Sequence, residues 1–263
     1  MLDFSLHQYA ELLRTLKDRN YTTCTFKDFF LYNNQPKLPG KIVCLRHDVD
    51  RLPVNALKMA ELEYQVGIQS TYYFRYIKTT YKKDIIQQIA KYGHEIGYHY
   101  ETLAKARGDI LLAHSIFKEE LEAFRQIVPI DTVCMHGSPS SKYDNRAMWK
   151  HHSIKNYNIL AGPYLSIDYS QVEYYTDTGR QWGATKTNLR DIVTNSKINP
   201  NLKTTNDLIN YLITIGPQKI ILQTHPERWA YSYPTFIFSL ILDGGSNLIK
   251  FLIHTLRSKG FEA

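Results

Sequence analysis

Cysteine and long apolar runs are scarce in this sequence. The three cysteines, Cys24, Cys44 and Cys134, are an odd number without metal-ligand spacing, which argues against a disulfide framework and favours reduced, buried thiols. The longest apolar stretch, 236–242, is far shorter than the ~18–20 residues that a membrane-spanning helix needs. The first twenty residues carry charges throughout and show no apolar core of a secretory signal. We therefore expect a cytoplasmic protein without a membrane span, which associates with membranes at most peripherally.

Low-complexity segments, proline-rich linkers and internal repeats are also missing from the 263 residues. The net charge is +7, but the lysines and arginines are scattered and form no basic cluster of five to eight residues. We therefore expect no nucleic-acid partner, although a basic nucleic-acid-binding protein is kept as an alternative. The positive charge would equally suit anionic lipid headgroups or phosphorylated substrates.

The hydrophobic pattern alternates between strand and helix. Predicted strands cover 41–47, 69–75, 95–100, 131–135, 158–161, 171–176 and 219–224, and predicted helices cover 5–19, 53–67, 82–92, 103–127, 205–214 and 234–258. This alternation predicts an α/β fold of parallel βα units. We expect one domain over 1–263, with a core of about 41–229 and terminal helices packed on it. The carboxyl ends of parallel strands then share one face.

Polar residues follow four of these predicted strands at the points where the strands end. They are 46–50 (RHDVD), 99–101 (HYE), 136–139 (HGSP) and 225–229 (HPERW). Each cluster alone would be an ordinary strand–loop junction. Four such clusters at the shared carboxyl face of a parallel sheet indicate a functional site instead.

Asp48 and Asp50 are two residues apart, so they point the same way from a strand. Two neighbouring carboxylates repel each other and ionise together only beside a cation or a hydrogen-bond donor. A divalent metal satisfies one of them and leaves the other as a base. His99 and His136 are neutral ligand candidates, and a carboxylate with two histidines and an open position is typical of a hydrolytic metal site.

The order of these motifs resembles a known family. The aspartate pair, then GHEIGYH at 93–99, a proline-containing loop, and LQTH at 222–225 resemble the polysaccharide deacetylase superfamily, carbohydrate esterase family four. The resemblance runs from about residue 41 to 229, and GHEIGYH is its most specific element. It implies a distorted (β/α) barrel that uses zinc or a similar divalent ion to hydrolyse N-acetyl or N-formyl groups on sugars.

The resemblance also implies residue roles. Asp48 matches the general base, Asp50 and His99 match metal ligands, and His225 matches the general acid that protonates the leaving amine. Arg228, or Arg46, is expected to tune these groups by charge pairing.

Three positions depart from the family pattern. Val49 separates the two aspartates, an arrangement similar to that of some sugar-lipid deformylases, Leu103 stands where the second metal histidine is usual, and 136–141 replaces the arginine–proline loop. We hypothesise that His136 is the substituted third ligand, with Glu101 as the rival. In the remaining alternative the metal site has decayed and His136 only forms loop hydrogen bonds.

Candidate substrate-binding residues flank these motifs. Tyr143 would offer a donor to a developing oxyanion, and the aromatic and polar residues of 174–182 are typical of a sugar-binding wall. The full set comprises Arg46, Tyr143, Asp177, Arg180, Trp182 and Arg228.

The function expected from these features is a metal-dependent hydrolase, with zinc as the expected ion. It would remove an acetyl or formyl group from the nitrogen of an amino-sugar glycoconjugate, a nucleotide- or lipid-linked precursor in surface-glycan or lipopolysaccharide metabolism. The alternatives are a non-catalytic glycan-binding module of the same fold and an amide hydrolase that needs no metal.

Overall fold

A computed structural model describes residues 2–33, 40–138, 141–183, 193, 195, 196 and 202–244. Its described strands form one seven-stranded parallel sheet in the order β5-β4-β3-β2-β7-β6, with β1 paired to the first half of β2. The sheet curls into a half-barrel with helices around it, so the expected distorted (β/α) barrel is confirmed. The strands are β1 (Thr22–Cys24), β2 (Ile42–Val49), β3 (Thr71–Phe74), β4 (Glu95–Tyr100), β5 (Val133–Met135), β6 (Glu173–Thr176) and β7 (Lys219–Thr224).

The helices begin and end at residues with recognisable capping chemistry. Ser5, Asp109 and Thr204 each accept a hydrogen bond from a backbone N–H in the first turn of the helix that follows, which satisfies a donor that has no partner within the helix. The helices are α1 (Leu6–Asp18), α2 (Phe26–Asn33), α3 (Pro53–Gln65), α4 (Lys83–Lys91), α5 (Thr102–Lys105), α6 (Ile110–Arg125), α7 (Pro163–Ser166), α8 (Thr205–Thr214) and α9 (233–244).

Several boundaries differ from the sequence-based expectations. The predicted helix 103–127 is two helices, because Arg107 and Gly108 both have positive φ and end α5. The predicted strand at 158–161 contributes only an isolated bridge, between Thr132 and Ala161. The predicted closing helix is described as far as residue 244, and the rest of it lies outside the described residues.

The two faces of the sheet bury different side chains. On β2, Val43, Leu45 and Val49 belong to the large core beneath the helices, whereas Ile42 and Cys44 belong to a smaller core on the other face. Because side chains alternate along a strand, the next residues on this second face are Arg46 and Asp48. The polar site therefore continues from the smaller core towards the carboxyl ends of the strands.

Gly97 in β4 allows the close packing of β3 and β4 beneath the site. A Cβ atom at this position would lie 2.2 Å from a ring carbon of Tyr73 and 3.1 Å from the Thr132 carbonyl oxygen. Only glycine fits such a close approach without displacing its neighbours. Within the described ranges, no helix has both the length and the apolar character required to cross a membrane.

Candidate metal and catalytic centre

The sheet brings the predicted site residues to its carboxyl edge. Asp48 lies on β2 and Asp50 follows it, His99 lies on β4, His136 follows β5 and His225 follows β7. The strands that carry them lie within one run of hydrogen-bonded neighbours, from β5 to β7. The convergence expected for parallel strands is therefore observed.

Asp50, His99 and His136 face one another at this edge. The Oδ1 atom of Asp50 lies 3.3 Å from Nε2 of His99 and 3.6 Å from Nε2 of His136, yet this buried oxygen has no hydrogen-bond partner in the described structure. The side chains of Asp50 and His136 are 20% and 12% exposed, so one side opens to solvent. A carboxylate and two imidazole nitrogens around an otherwise unpartnered oxygen fit a divalent cation with an open position.

The other nitrogen of each imidazole is held by the protein. Nδ1 of His99 donates to the backbone oxygen of Cys134 over 3.1 Å, and Nδ1 of His136 donates to Glu101 over 2.9 Å. Glu101 in turn accepts two hydrogen bonds from Arg75, at 2.8 and 2.9 Å. Such partners fix the tautomer and leave Nε2 free for a metal. Glu101 therefore orients His136, and the geometry favours His136 over Glu101 as the ligand.

A second group of ligand atoms lies close by. One atom each from Asp48, His99 and Cys134 lies within 4.8 Å of the other two. In this group, however, Asp48 already accepts hydrogen bonds from Arg46 and Gln223. Binding a cation there would disrupt these contacts, whereas Oδ1 of Asp50 has none to lose. The Asp50 group is therefore the better cation site.

Asp48 is buried beside a guanidinium. Arg46 donates from Nε to Oδ1 over 3.0 Å and from Nη2 to Oδ2 over 2.7 Å, and Gln223 donates to Oδ2 over 2.7 Å. Burial by itself would raise the pKa of Asp48, but the charges of Arg46 and His99 outweigh it and hold the pKa below its ordinary value. Oδ2 of Asp48 lies 3.7 Å from Nε2 of His99. An ionised carboxylate thus adjoins the candidate metal site.

The electrostatics of the candidate ligands also favour a cation. Burial opposes ionisation of Asp50, yet His136 and His99 hold its pKa well below the ordinary value. Burial likewise opposes a charged His136, but Asp50 and Glu101 raise the pKa of His136 to about 9. The carboxylates here stabilise positive charge, which is the electrostatic requirement of a metal site.

His225 is held from behind by Asp177. Nδ1 of His225 donates to Oδ1 of Asp177 over 2.6 Å, and the backbone N–H of His225 donates to Oδ2 over 2.9 Å. Arg228 and Trp229 also donate to Asp177, over 2.6 and 2.9 Å. Burial and Arg228 lower the pKa of His225, but the charges of Asp177 and Asp50 outweigh them and raise it. Asp177 thus fixes one ring nitrogen and stabilises a protonated imidazole.

Glu227 lies in the short 3₁₀ turn after β7. Its side chain is 2% exposed, and neither carboxylate oxygen has a hydrogen-bond partner among the described residues. Nη2 of Arg51 approaches Oε1 only to 3.5 Å. Burial and the charge of Asp50 raise the pKa of Glu227 to about 7, so this carboxylate loses its proton less readily than its neighbours.

The structure assigns other contacts to several residues that the sequence suggested for substrate binding. Arg46 is fully buried against Asp48, and Asp177 lies behind His225. Trp182 is 1% exposed and donates to Thr205. Its ring is packed in the hydrophobic core. It therefore has no face available to a sugar and stabilises the fold instead.

The remaining substrate candidates occupy two places. Arg180 pairs with Asp243 of α9 over 2.8 Å, and Nε of Arg228 lies 3.7 Å from the same carboxylate. Tyr143 is half-buried and lines a separate cleft beside Ser138. Contact with substrate stays a prediction for all three.

Sequence reasoning missed Gln223 and Arg75. Gln223 interrupts the apolar strand β7 two residues before His225, and Arg75 directly follows β3. Both are polar residues at the carboxyl end of a strand, which is the signal that identified the other site residues. Gln223 lies within the LQTH motif and Arg75 ends the predicted strand 69–75, but the pattern of histidine and aspartate gave neither residue a role.

Comparison with known proteins gives matches of fold only. No family model and no curated protein matches the sequence. Among solved structures, the chain is similar to the deacetylase PplD of Streptococcus pyogenes in complex with acetate (TM-score 0.49, 11% identity, covering 78% of this chain and 85% of that chain). It is also similar to a CE4 esterase of Streptococcus mutans (TM-score 0.47, 16% identity, 90% and 88% covered). A family 4 carbohydrate esterase from Bacillus anthracis matches at TM-score 0.39 and 14% identity, with 95% and 86% covered.

The second and third of these structures carry the name of the family that the sequence motifs resemble. The scores of all three lie below 0.5 and their identities between 11 and 16%, so they support no argument about activity. The case for a function rests on the residues of the site.

Proposed function

We propose that this protein is a metal-dependent hydrolase that removes an acetyl or formyl group from the nitrogen of an amino sugar. The observation that carries the proposal is the arrangement around Asp50. Nε2 atoms of His99 and His136 approach Oδ1 to 3.3 and 3.6 Å, while that buried oxygen has no hydrogen-bond partner in the described structure. A base candidate, Asp48, and an acid candidate, His225, adjoin this group.

Asp50, His99 and His136 would hold the metal, and zinc suits this set of one carboxylate and two imidazoles. When bound, a divalent ion would acidify water and polarise the amide carbonyl. The neutral imidazoles needed for ligation are oriented by the Cys134 carbonyl and by Glu101.

Asp48 would accept the proton of the attacking water. Its lowered pKa keeps it ionised at neutral pH, and Arg46 and Gln223 hold both of its oxygens in place. A general base must be both deprotonated and positioned, and it contributes about 10²–10⁴-fold to rate. Arg46 therefore acts as a positioning residue for Asp48.

His225 would donate a proton to the departing nitrogen. Asp177 holds Nδ1 at 2.6 Å, so Nε2 is the nitrogen available to a substrate, and the raised pKa of His225 favours the protonated form. As the C–N bond breaks, the nitrogen takes this proton and leaves as a free amine, and the acyl group leaves as acetate or formate. The two proton transfers leave Asp48 protonated and His225 neutral, so Asp48 then releases a proton to water and His225 takes one up to restore the starting states.

We assign the substrate to nucleotide- or lipid-linked amino-sugar precursors of surface glycan or lipopolysaccharide, handled in the cytoplasm. The motif resemblance, including the Asp-Val-Asp arrangement at 48–50, supports this finer assignment.

The test combines metal analysis with an activity screen on the full chain. Purified protein, with and without added Zn²⁺, is analysed for metal by mass spectrometry and incubated with N-acetyl and N-formyl amino sugars, with released acetate or formate quantified. We expect about one metal per chain and acid release that stops in a chelator and returns with Zn²⁺. Absence of metal even after adding Zn²⁺ would overturn the proposal, and acid release that survives chelation would favour the metal-free hydrolase.

A further inference from the structure

A cleft of about 770 Å³ opens beside the candidate metal site. It is lined by Glu101 and Ser138, which adjoin the site, and by cationic and aromatic side chains on its other walls. The cationic residues are Lys105, Arg107 and Lys142. Three cations against a single carboxylate give this cleft a positive character.

The carboxylate in the cleft is already neutralised. Glu101 accepts two hydrogen bonds from Arg75, at 2.8 and 2.9 Å, and one from Nδ1 of His136 at 2.9 Å. The guanidinium of Arg75 thus already pairs with the Glu101 carboxylate, which therefore does not cancel the charge of the other cleft residues.

Two of the cations have no carboxylate partner among the described residues, and the Lys142 ammonium lies over the ring of Tyr143, 5.6 Å from its centroid. Lys105 pairs with Glu120 over 2.8 Å, but the described structure contains no carboxylate paired with Arg107 or Lys142. Both residues are exposed. Their guanidinium and ammonium groups can bind an incoming anion without breaking an existing ion pair.

The turn that carries Arg107 is a fixed part of the cleft. Arg107 has a φ of 51° and Gly108 a φ of 91°, and a left-handed conformation at a residue with a Cβ is costly unless its surroundings maintain it. Gly108 is packed so closely that a Cβ there would lie 2.3 Å from the ring of Tyr143. The ring of Tyr143 thus joins the turn to the wall formed by Lys142.

His136 connects the candidate metal site to the cleft, because it contacts two residues that line the cleft. Its Nε2 atom faces Asp50, whereas its Nδ1 atom lies 2.9 Å from Glu101 and 3.0 Å from Oγ of Ser138, both of which line the cleft. A substrate whose amide lies at Asp50 would therefore extend past His136 towards Arg107 and Lys142.

We propose that this cleft binds a phosphate group of the substrate, through Arg107 and Lys142, so that the substrate is a phosphorylated amino sugar. The proposal rests on the proposed function and narrows its substrate class. Arginine and lysine are the usual phosphate-binding side chains, arginine through a planar fork and lysine as a point charge. Ser138, Ser141 and Tyr143 add hydroxyl groups along the same walls.

The test measures anion binding without requiring turnover. Inorganic pyrophosphate is titrated by calorimetry into the full chain kept metal-free with the neutral chelator 1,10-phenanthroline, so that metal coordination cannot contribute. The variant is Arg107→Gln with Lys142→Gln, and the control of equal charge change is Lys118→Gln with Lys155→Gln, at two exposed lysines outside the cleft. We expect the cleft variant to bind at least about tenfold more weakly, equal to 1.4 kcal/mol, and the control to bind like wild type.

Uridine diphosphate and a short prenyl phosphate, titrated in the same way, distinguish a nucleotide source from a lipid source of the phosphate. Equal affinity in the cleft variant and the control, or no binding to wild type, would overturn the proposal. Pyrophosphate binding that depends on Arg107 and Lys142 in a protein that releases no acid from any amide would leave the cleft assignment standing and refute the proposed hydrolase. Failure of the phosphate-binding cleft and failure of the proposed hydrolase therefore give different results.

Discussion

Arg46 and Asp48, two residues apart on β2, form a buried salt bridge with hydrogen bonds of 3.0 and 2.7 Å. Their side chains are 0% and 1% exposed. Because residues i and i+2 of a strand share a face, this pair is positioned by the strand itself. Burial would raise the pKa of Asp48, and Arg46 is the foremost of the charges that lower it instead.

Arg46→Met should move the acid limb of the pH dependence of kcat/KM to higher pH. Without the guanidinium, burial raises the pKa of Asp48, so the base stays protonated to a higher pH. The variant should also lose about 3–5 kcal/mol of unfolding free energy at neutral pH, because one partner of a buried pair is removed. The pH dependence of kcat/KM and the free energy of unfolding are compared with those of the control Arg146→Met, which disrupts a partly exposed ion pair with Asp144.

Gln223→Leu offers a milder version of the same experiment, because it leaves the Arg46–Asp48 ion pair in place. It removes the 2.7 Å donor to Asp48, together with the oxygen that accepts hydrogen bonds from Tyr174 and Tyr164, so the acid limb should shift in the same direction by a smaller amount. An acid limb that stays in place in both variants would show that Asp48 is not the base.

Replacement of the candidate ligands should abolish metal binding selectively. Asp50→Ala, His99→Ala and His136→Ala should each lose the metal, whereas Cys134→Ser should retain about one equivalent, because its thiol belongs only to the competing group. Metal content by mass spectrometry checks this, with circular dichroism confirming folding. Retention of metal by Asp50→Ala together with its loss from Cys134→Ser would assign the ion to the competing group.

Asp177→Asn should lower kcat by about 10²–10⁴-fold while leaving the metal content unchanged, since removing an acid–base group or the carboxylate that orients it has effects of this size. Loss of the carboxylate charge also lowers the pKa of His225. The alkaline limb of the kcat profile should therefore move to lower pH, where a purely structural role would leave it unchanged. Asp168→Asn, at a carboxylate whose hydrogen bonds in the described part of the chain go to Ser170 in a surface turn, is the control.

Glu63 should make stability dependent on pH in the acid range. This buried carboxylate accepts hydrogen bonds from Tyr9, Tyr72, Ser70 and His47. Burial opposes its ionisation, but His47 and the other donors lower its pKa from 4.5 to about 2.

The folded-state pKa of Glu63 is depressed, so its contribution is present above the unfolded value of 4.5 and is lost as the pH falls towards 2. By linkage this contribution is on the order of 3 kcal/mol. Urea unfolding between pH 2 and 7 should show a flatter profile for Glu63→Gln, while Glu61→Gln, at a partly exposed carboxylate paired with Lys58, keeps the wild-type slope. Parallel profiles for wild type and Glu63→Gln would contradict the prediction.

Gly97→Ala should destabilise the protein and weaken metal binding together. The new Cβ would lie 2.2 Å from the ring of Tyr73, which is fully buried. Overpacking of a core costs about 1–3 kcal/mol, and a displaced β4 moves His99, two residues further on. Thermal unfolding and zinc affinity are the measurements. Gly244→Ala, where no atom of the described residues lies within 4 Å of the added Cβ, should change neither.

Much of the fold and of the site could be read from local sequence patterns. The alternation of strands and helices predicted the parallel sheet, because hydrophobic periodicity reflects which faces are buried. Polar residues directly after apolar strands indicated Asp48, Asp50, His99, His136 and His225, since parallel strands place those ends on one edge. These residues do lie along one edge of the sheet.

Local sequence patterns could not predict the contacts between distant parts of the chain. Asp177 and Trp182 were both assigned to a sugar-binding wall, yet Asp177 lies behind His225, 48 residues away, and Trp182 is buried beside Thr205. A composition of aromatic and polar residues suits a binding wall and a packed core equally well. Only the positions of neighbouring elements decide between them.

The sequence by itself determined the α/β class and which residue types occupy the functional edge, because these depend on periodicities of a few residues. The tertiary structure decided which atoms face one another. It directed the Nε2 atoms of both His99 and His136 towards Asp50 and paired Arg46 with Asp48 rather than leaving it for substrate. It also placed Arg107 and Lys142, which have no carboxylate partner among the described residues, in a cleft next to His136. Such arrangements depend on strand order and loop packing over long separations, which no local pattern encodes.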